Sequence, residues 1–277
     1  MSLLLLLLLL PPLAQAKSNA PPQPADAAAD PTQKTAVPIQ IDAAGSLIWR
    51  QEDKTYHAVG DASATRGTLN VKGDELTAHY VEGPGGQNQI QLLEAQGHVI
   101  ITNNGNTAVG PYARYNMVTE DMNLIGKDLK LTNAKGETLT AQQEIWFNNK
   151  TGQSYALGQP FLARPDRTLA ADRLDAQFIK DAQGSWTLQT ATATGHVVVT
   201  TGIGTPNPSV TLAENGFYDA VHDKALLTGN VKITRSKNQM NGDRAEINMA
   251  SGESRLLPSA QPLSPNARVH ALLYQNK

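Results

Sequence analysis

Two short segments carry the carboxylates that could do acid–base chemistry. They are DRLD at Asp172–Asp175 and DRAE at Asp243–Glu246. Acid–base catalysis needs two carboxylates that converge on one substrate bond. Residues three positions apart on a strand point to opposite faces, so neither pair converges. We therefore predict no catalytic residue, and we interpret each segment as a turn-entry aspartate beside solvated charges.

The histidines are the next candidates, because imidazoles at equivalent positions could bind a metal. His98 and His196 occupy the same position in two copies of a repeated phrase, but Asn230 and Asp61 occupy it in other copies. Such a mixture favours an outward polar position. The chain lacks the histidine spacings of zinc motifs, and it has no cysteine that could form a disulfide or a thiolate ligand. We expect neither a metal nor another cofactor.

A third candidate is the segment Gly202-Ile203-Gly204, which resembles the start of a dinucleotide-binding loop. Two prolines follow it and no helix does, so no helix N-terminus is available for a phosphate. We predict a hairpin loop there. A formal net charge of −2 gives no basic footprint for nucleic acid. No chemistry-bearing motif therefore explains the chain, and its repeats must be considered instead.

One six-residue phrase recurs, with a glycine first and a threonine last. It reads GHVIIT at Gly97–Thr102, GHVVVT at Gly195–Thr200 and GNVKIT at Gly229–Thr234. A weaker copy lies at Gly60–Thr65, and a drifted copy at Gly126–Thr132. Self-similarity of this kind is typical of stacked repeats. We interpret each phrase as a turn followed by a strand.

A second phrase of seven residues starts at Asp74, Pro111, Asp172, Glu214 and Asp243. Its third, fifth and seventh residues are mostly apolar, which is the period-2 pattern of strands with one dry face. Together, the two phrases predict an apolar lining between sheets. The candidate lipid-binding residues of this lining are Val99, Ile101, Tyr115, Met117, Leu174, Phe178, Val197, Val199, Tyr218, Val231, Ile233, Ile247 and Met249.

Turn residues separate short apolar alternations every 8 to 12 positions, and no segment sustains a helical period. We therefore predict an all-β fold, a twisted and partly open antiparallel β-roll or β-jellyroll. The register near residue 146 stays open. Alignment with the preceding repeat turns Trp146 inward, whereas the apolar pattern favours Ile145 and Phe147.

The N-terminus has the features of an export signal. Eight leucines, Leu3–Leu10, are followed by prolines and by Ala14-Gln15-Ala16. Such an apolar run is too short to span a bilayer but fits a signal peptide, with cleavage after Ala16. We expect a signal at 1–16, a flexible leader at 17–44, the roll at 45–257 and a tail at 258–277. A last strand is expected at Val269–Tyr274.

The ordered phrases resemble the OstA-like family, in its LptA-type periplasmic members. The segment Glu214–Leu256 carries the resemblance best, with an acidic-aromatic strand, an L-x-G-N-V strand and a G-D-x-A strand in that order. The segment Leu92–Leu131 is a looser match. The resemblance implies a β-taco that holds lipopolysaccharide acyl chains between its sheets in the periplasm, with no enzymatic activity.

The resemblance also implies partners. They are an LptC-like protein of the inner membrane, an LptD-like protein of the outer membrane, and further copies of the chain joined head to tail. Two alternatives remain open on the residues alone. One is an exported structural or adhesive scaffold whose apolar face is only core. The other is a carbohydrate-active β-roll enzyme.

Overall fold

The computed structural model describes residues 38–83, 86–249, 251, 253–258 and 268–274. The predicted signal at 1–16 lies outside them. Every helix or strand in this described part of the chain is a β-strand, and the strands form one antiparallel twenty-stranded sheet. The prediction of an all-β antiparallel roll is confirmed. Within the same residues, no helix is long and apolar enough to cross a membrane.

Two sets of long strands lie on either side of a middle part made of short strands, and short strands also form the two ends of the sheet. In the first part of the chain the strands are β1 (Gln40–Asp42), β2 (Ser46–Arg50), β3 (Thr55–Arg66), β4 (Leu69–Glu82), β5 (Asn88–Asn103) and β6 (Asn106–Asn116). The middle strands are β7 (Asp121–Ile125), β8 (Leu129–Thr132), β9 (Thr138–Ala141), β10 (Glu144–Asn148), β11 (Gln153–Leu157), β12 (Phe161–Arg164), β13 (Arg167–Ala170) and β14 (Arg173–Lys180). The last strands are β15 (Trp186–Thr201), β16 (Ser209–Asp219), β17 (Lys224–Arg235), β18 (Asn238–Asn248), β19 (Ser254–Leu257) and β20 (His270–Leu272).

Each long strand bends near its centre, and the bends together form a corner that folds the sheet into two layers. In β5, for example, the pairing register with β6 shifts between Gln96 and Val99. The equivalent shift in β17 lies between Thr228 and Val231. Such β-bulges increase the local bend and twist of a strand. One half of each long strand therefore belongs to each layer.

The middle strands continue the same two layers as separate short pieces. The first layer follows the order β1-β3-β4-β5-β6-β8-β9-β12-β13-β15-β16-β17-β18-β20. The second layer follows β2-β3-β4-β5-β6-β7-β10-β11-β14-β15-β16-β17-β18-β19. Neighbouring strands are about 4.8 Å apart, so each layer extends for roughly 60 Å.

The structure moves two predicted boundaries. Strand β1 lies inside the predicted leader and pairs with β3 through Ile41 and Ala64, so the roll begins before residue 45. Ile41 also packs against the apolar core, which explains why a short segment without periodicity is ordered. In the predicted last strand, only His270–Leu272 forms β-structure, paired with β18.

The register near residue 146 is settled by burial. Ile145 and Phe147 are buried in the core, whereas Trp146 lies on the outer face. Trp146 stacks on Tyr155 of the adjacent strand, with ring centroids 5.0 Å apart. The apolar pattern therefore predicts this strand correctly, and alignment with the preceding repeat does not.

The interpretation of the repeat as a turn followed by a strand is wrong. The glycines of four copies, at positions 60, 97, 195 and 229, lie inside β3, β5, β15 and β17. They mark the corner, and the hairpin turns lie elsewhere. Sequence patterns do not distinguish a bend within a strand from a turn between strands, because both need positive φ. In the drifted copy at Gly126 the corner separates β7 from β8.

Candidate functional site

The backbone conformation at the corner explains which residue types follow the glycine of the six-residue phrase. Gly97 and His98 have φ values of 73° and 44°, and Gly195 and His196 have φ values of 74° and 46°. Two successive left-handed residues thus form the bends of β3, β5, β15 and β17. Glycine adopts this conformation freely, and histidine, asparagine and aspartate are the side-chain-bearing residues most enriched in it. Asn230, with φ 49°, fits the same rule.

Both corner histidines are paired with the first residue of a second phrase, which is Asp74 of β4 for His98 and Asp172, just before β14, for His196. His98 Nδ1 lies 2.9 Å from Asp74, and His196 Nδ1 lies 2.8 Å from Asp172. These side chains are exposed, so the predicted outward polar position is confirmed. Searching the described residues finds no cluster of three metal-ligating side chains. The pairs hold adjacent strands together at the bend.

The candidate carboxylates do not converge. Asp172 faces the corner and contacts His196, whereas Asp175 accepts hydrogen bonds from Arg173 at 2.5 and 2.7 Å. In the second segment, Glu246 lies 3.3 Å from Arg244 on the same strand. Asp172, Asp175 and Glu246 therefore lie in ion pairs, and Asp172 precedes β14 rather than lying on a strand, so strand parity does not apply to it.

The dry face of the strands fills the space between the layers. Val99 is 0% exposed, and the next residue, Ile100, is 41% exposed on the outer face. The inward side chains form one apolar cluster that extends from Ala58 to Ala245. It contains the following members of the predicted lining: Val99, Ile101, Met117, Leu174, Phe178, Val197, Val199, Tyr218, Val231, Ile233 and Ile247.

Two members of the predicted lining differ from this group. Tyr115 is half-buried and lines a small apolar cavity within the same interior. Met249 lies in the turn after β18 rather than on a strand, and its backbone nitrogen donates a hydrogen bond to the Asp223 carbonyl. The structure therefore places Tyr115 inside the roll and Met249 at its edge.

An aromatic group lies in the middle of the interior. The Phe147 ring makes edge-on contacts with Phe178 and Trp186, at centroid distances of 6.3 and 5.6 Å. Such contacts join β10, β14 and β15. Trp186 Nε1 also donates to Asn149 at 3.3 Å, which satisfies its polar atom. Trp186 is not among the predicted lining residues.

Sequence reasoning missed several other interior residues, all in the middle strands or beside them. These include Leu124, Leu129, Leu131, Leu162 and Leu188. The alternation of Leu129 with Leu131, and of Trp186 with Leu188, is the signal that could have identified them. No clear copy of the repeat phrase lies beside these alternations to fix their register, because the corner there falls between separate short strands.

The interior is closely packed. One cavity within it measures about 50 Å³ and is lined by apolar side chains including Leu93, Ile101, Leu131 and Phe147. One water molecule occupies about 30 Å³ in the liquid, so this space is smaller than an acyl chain. A larger hollow of about 350 Å³ lies on the outside, beside Trp146 and Tyr155, and it is mainly polar.

Two interior tyrosines lie near the free ends of the layers, away from the corner. Burial raises the pKa of Tyr115, and Glu120 raises it further, while Arg66 opposes the increase. The pKa of Tyr218 is likewise raised by burial and by a 2.6 Å hydrogen bond donated to Asp223. Arg167 and Arg164, which belong to strands of the first layer, oppose that increase.

Both ends of the roll expose apolar side chains that belong to the inner face by register. At the first end, Leu47 and Trp49 of β2 are 55% and 53% exposed, opposite Ala58 and Tyr56. At the other end, Val269 is 45% exposed. The apolar interior therefore continues to the surface at each end.

The fold and its interior define a class: a two-layer β-roll with a continuous apolar core and charged hairpin ends. The sequence profile of the family described as LptA/(LptD N-terminal domain) LPS transport protein matches residues 40–153 and 147–253. These two matches together cover more than half of the chain. The chain belongs to this family and is related to lipopolysaccharide transport.

A structural comparison finds similarity to LptH, the LptA-homologous periplasmic component of the lipopolysaccharide transport device of Pseudomonas aeruginosa. The TM-score is 0.43 at 12% identity, and the match covers 50% of this chain and 95% of LptH. A comparison with curated protein sequences finds no match.

Proposed function

We propose that this chain is an exported, periplasmic bridge that binds lipopolysaccharide and carries it from the inner to the outer membrane. Membership of a lipopolysaccharide-transport family supports this proposal. The observation that carries it is the apolar cluster, which extends through both matched units between layers that are joined along the corner. We infer no catalytic role, since Asp172 and Asp175 have separate partners and do not converge.

The proposed mechanism follows from the energetics of acyl chains. Covering each methylene group is worth about 0.8 kcal/mol, so a lipid with several chains needs a long apolar track. The inward residues of successive strands supply nearly the same lining at every step. Consequently, a lipid can advance from strand to strand without leaving a uniquely deep site. The headgroup remains in water at the free ends of the layers.

Loading requires the layers to separate, because the cavity of about 50 Å³ does not admit a chain. The corner is suited to act as the hinge. Its bends are formed by left-handed residues such as Gly97 and Gly195, whereas the opposite ends of the layers meet through side chains. Lipid chains would replace the contacts between the layers, so the apolar inner faces would stay shielded from water during loading.

The proposed partners are an LptC-like inner-membrane protein, an LptD-like outer-membrane protein and further copies of the chain. Support comes from the two ends of the roll, where inner-face residues such as Leu47 and Val269 are exposed. Edge strands carry unpaired backbone groups that accept another strand. Head-to-tail addition would continue both the sheet and its apolar interior.

A photocrosslinking amino acid tests the lipid-binding interior at paired positions. Ile101 and Ile100 are adjacent residues of one type, and they are 6% and 41% exposed on opposite faces. The same design applies to Ile233 and its outward neighbour Lys232. We expect lipopolysaccharide adducts at Ile101 and Ile233 only. Equal labelling of the inward and outward positions would contradict the proposal.

The close packing of the interior favours a second candidate, an exported β-scaffold whose apolar face is only core. That protein would exclude lipid and remain a monomer. A lack of adducts at both inward positions, with the fold intact by circular dichroism, would establish the scaffold. The photocrosslinking experiment thus separates the two candidates.

A further inference from the structure

The two free ends of the layers, opposite the corner, carry opposite charge. We call the hairpin turns of the first layer the basic rim and those of the second layer the acidic rim. The basic rim comprises residues 66–68, 103–106, 133–137, 164–167, 202–208 and 235–237. The acidic rim comprises residues 50–54, 82–83, 86–88, 116–121, 148–152, 180–185, 219–224, 248–249, 251 and 253.

Within the described residues of the basic rim, cations outnumber anions. The cations are Arg66, Lys135, Arg164, Arg167, Arg235 and Lys237, and the anions are Glu137 and Asp166. The acidic rim shows the reverse balance. Its anions are Glu52, Asp53, Glu82, Glu120, Asp121, Asp181, Asp219, Asp223 and Glu253, against the cations Arg50, Lys54, Lys150, Lys180 and Lys224.

The same arrangement occurs once in each matched unit. In the first unit it consists of Tyr115 on the inner face, Glu120 five residues later on the acidic rim, and Arg66 on the basic rim. Arg66 ends β3 at the β3–β4 turn of the first layer, whereas Glu120 lies in the β6–β7 turn of the second layer. Tyr115 also lines the apolar cavity.

In the second unit the arrangement consists of Tyr218, Asp223 and two arginines of the basic rim. The Tyr218 hydroxyl donates to Asp223 at 2.6 Å, and Arg164 and Arg167 act on the same hydroxyl from the first layer. Arg164 is held in place by Glu137, with Nε 2.7 Å from a carboxylate oxygen. The side chain of Arg167 is 20% exposed, and its Nε and Nη2 donate hydrogen bonds to Asp166 at 3.0 and 2.7 Å.

We propose that the basic rim binds the phosphate groups of the carried lipid, at two positions per chain, one beside Arg66 and the other beside Arg164 and Arg167. An amphiphile with its chains between the layers must place its headgroup at a rim. A phosphate-bearing headgroup is attracted by the basic rim and repelled by the acidic rim. Arginine binds phosphate through two parallel hydrogen bonds, which fixes the headgroup as well as attracting it.

The inference rests on the proposed function, and it adds an orientation. The lipid lies with its headgroup on the first-layer side of the opening, because the second-layer side is acidic. Each tyrosine marks where the apolar interior meets this charged boundary. The spacing of the two positions along the roll corresponds to the two units matched by the family profile.

The test compares lipid A with chemically dephosphorylated lipid A, with binding and stoichiometry measured by native mass spectrometry. We expect two lipid A molecules per chain. Arg66→Gln and Arg167→Gln should each weaken lipid A binding roughly tenfold at one position, since a charge-assisted hydrogen bond is lost. Binding of the dephosphorylated lipid should not change. Arg66→Lys should retain part of the affinity.

Two control variants keep the test specific. Arg173→Gln removes an outer-face arginine that pairs with Asp175 much as Arg167 pairs with Asp166. Arg50→Gln removes a cation of the acidic rim. Neither should alter lipid A binding. If these controls weaken binding as much as the basic-rim variants, the inference is wrong, because only overall charge matters.

The remaining outcomes are also decisive. If the basic-rim variants bind both lipids more tightly, the basic rim only holds the layers together by attracting the acidic rim. That result would overturn the inference. If both lipids bind equally and no variant has an effect, the interior binds lipid but the basic rim does not select phosphate. If neither lipid binds the folded wild-type chain, the proposed function itself fails.

Discussion

At the scale of single residues, the corner converts a repeated sequence position into a conformational requirement. Histidine, asparagine and aspartate alternate after the corner glycine, since each tolerates left-handed backbone. A Cβ atom at Gly97 would lie 2.1 Å from the Asp74 carboxylate, so the glycine is needed for space as well as for its φ of 73°. The repeated glycine and the polar residue after it are therefore a consequence of the bend in the sheet.

The corner pair of His196 and Asp172 predicts a pH response. The hydrogen bond and charge of Asp172 raise the pKa of His196 above its ordinary value of 6.5. The protonated imidazole therefore favours the folded state: this contribution is complete below about pH 6.5 and disappears as the pH rises through the raised pKa. Titration of the His196 ring by NMR should give a pKa above 6.5, and Asp172→Asn should return it toward that value.

The control for this titration is Asp175→Asn. Asp175 lies three residues from Asp172 but is hydrogen-bonded to Arg173, so the variant should leave the His196 pKa unchanged. An identical His196 pKa in the wild-type and Asp172→Asn chains would show that the pair does not persist in solution.

At the scale of strands, the alternation of apolar and polar residues predicts which side chains face the interior. It does not predict where one strand ends and the next begins. The inward residues after the corners of β5, β15 and β17 follow directly from the period of two, because each strand has one buried face. The middle strands were harder to predict. Their corners fall between separate short strands, so Leu129 and Trp186 have no intact phrase beside them. Which hairpin ends share a rim depends on the strand order, and strand order is set by non-local pairing.

The aromatic group of the middle strands predicts a difference between two phenylalanines. Phe147 is 2% exposed and contacts Phe178 and Trp186, whereas Phe217 is 42% exposed on the outer face. Phe147→Ala should reduce the free energy of unfolding by about 3–5 kcal/mol, through lost burial and the cavity that remains. Phe217→Ala should change it by less than about 0.5 kcal/mol. Urea denaturation measures both values, and similar losses would contradict the assigned register.

At the scale of the whole molecule, the sheet has two open ends and both expose apolar residues. Leu47 lies on the inner face at the first end, so Leu47→Lys should place a charge where another chain would add. We expect wild-type chains to form concentration-dependent head-to-tail oligomers, which open contacts of this type extend into filaments. Sedimentation velocity should show that Leu47→Lys shifts the population to monomer.

Val118→Lys is the matched control for this substitution. Val118 is 53% exposed, close to the 55% of Leu47, but it lies in a hairpin turn away from both ends. It should leave the oligomers unchanged. Equal dissociation by both variants would mean that chains associate through general apolar contact rather than through their ends.

Because one sheet runs unbroken through both matched units, the joint between the units persists when the protein is diluted. Strand β10 pairs with β11 within a single chain, at the place where the two family matches overlap. A joint between separate chains dissociates as the protein becomes scarce, whereas a joint within one polypeptide is held at a fixed effective concentration. When protein is scarce, every chain of this kind still presents an uninterrupted stretch two units long.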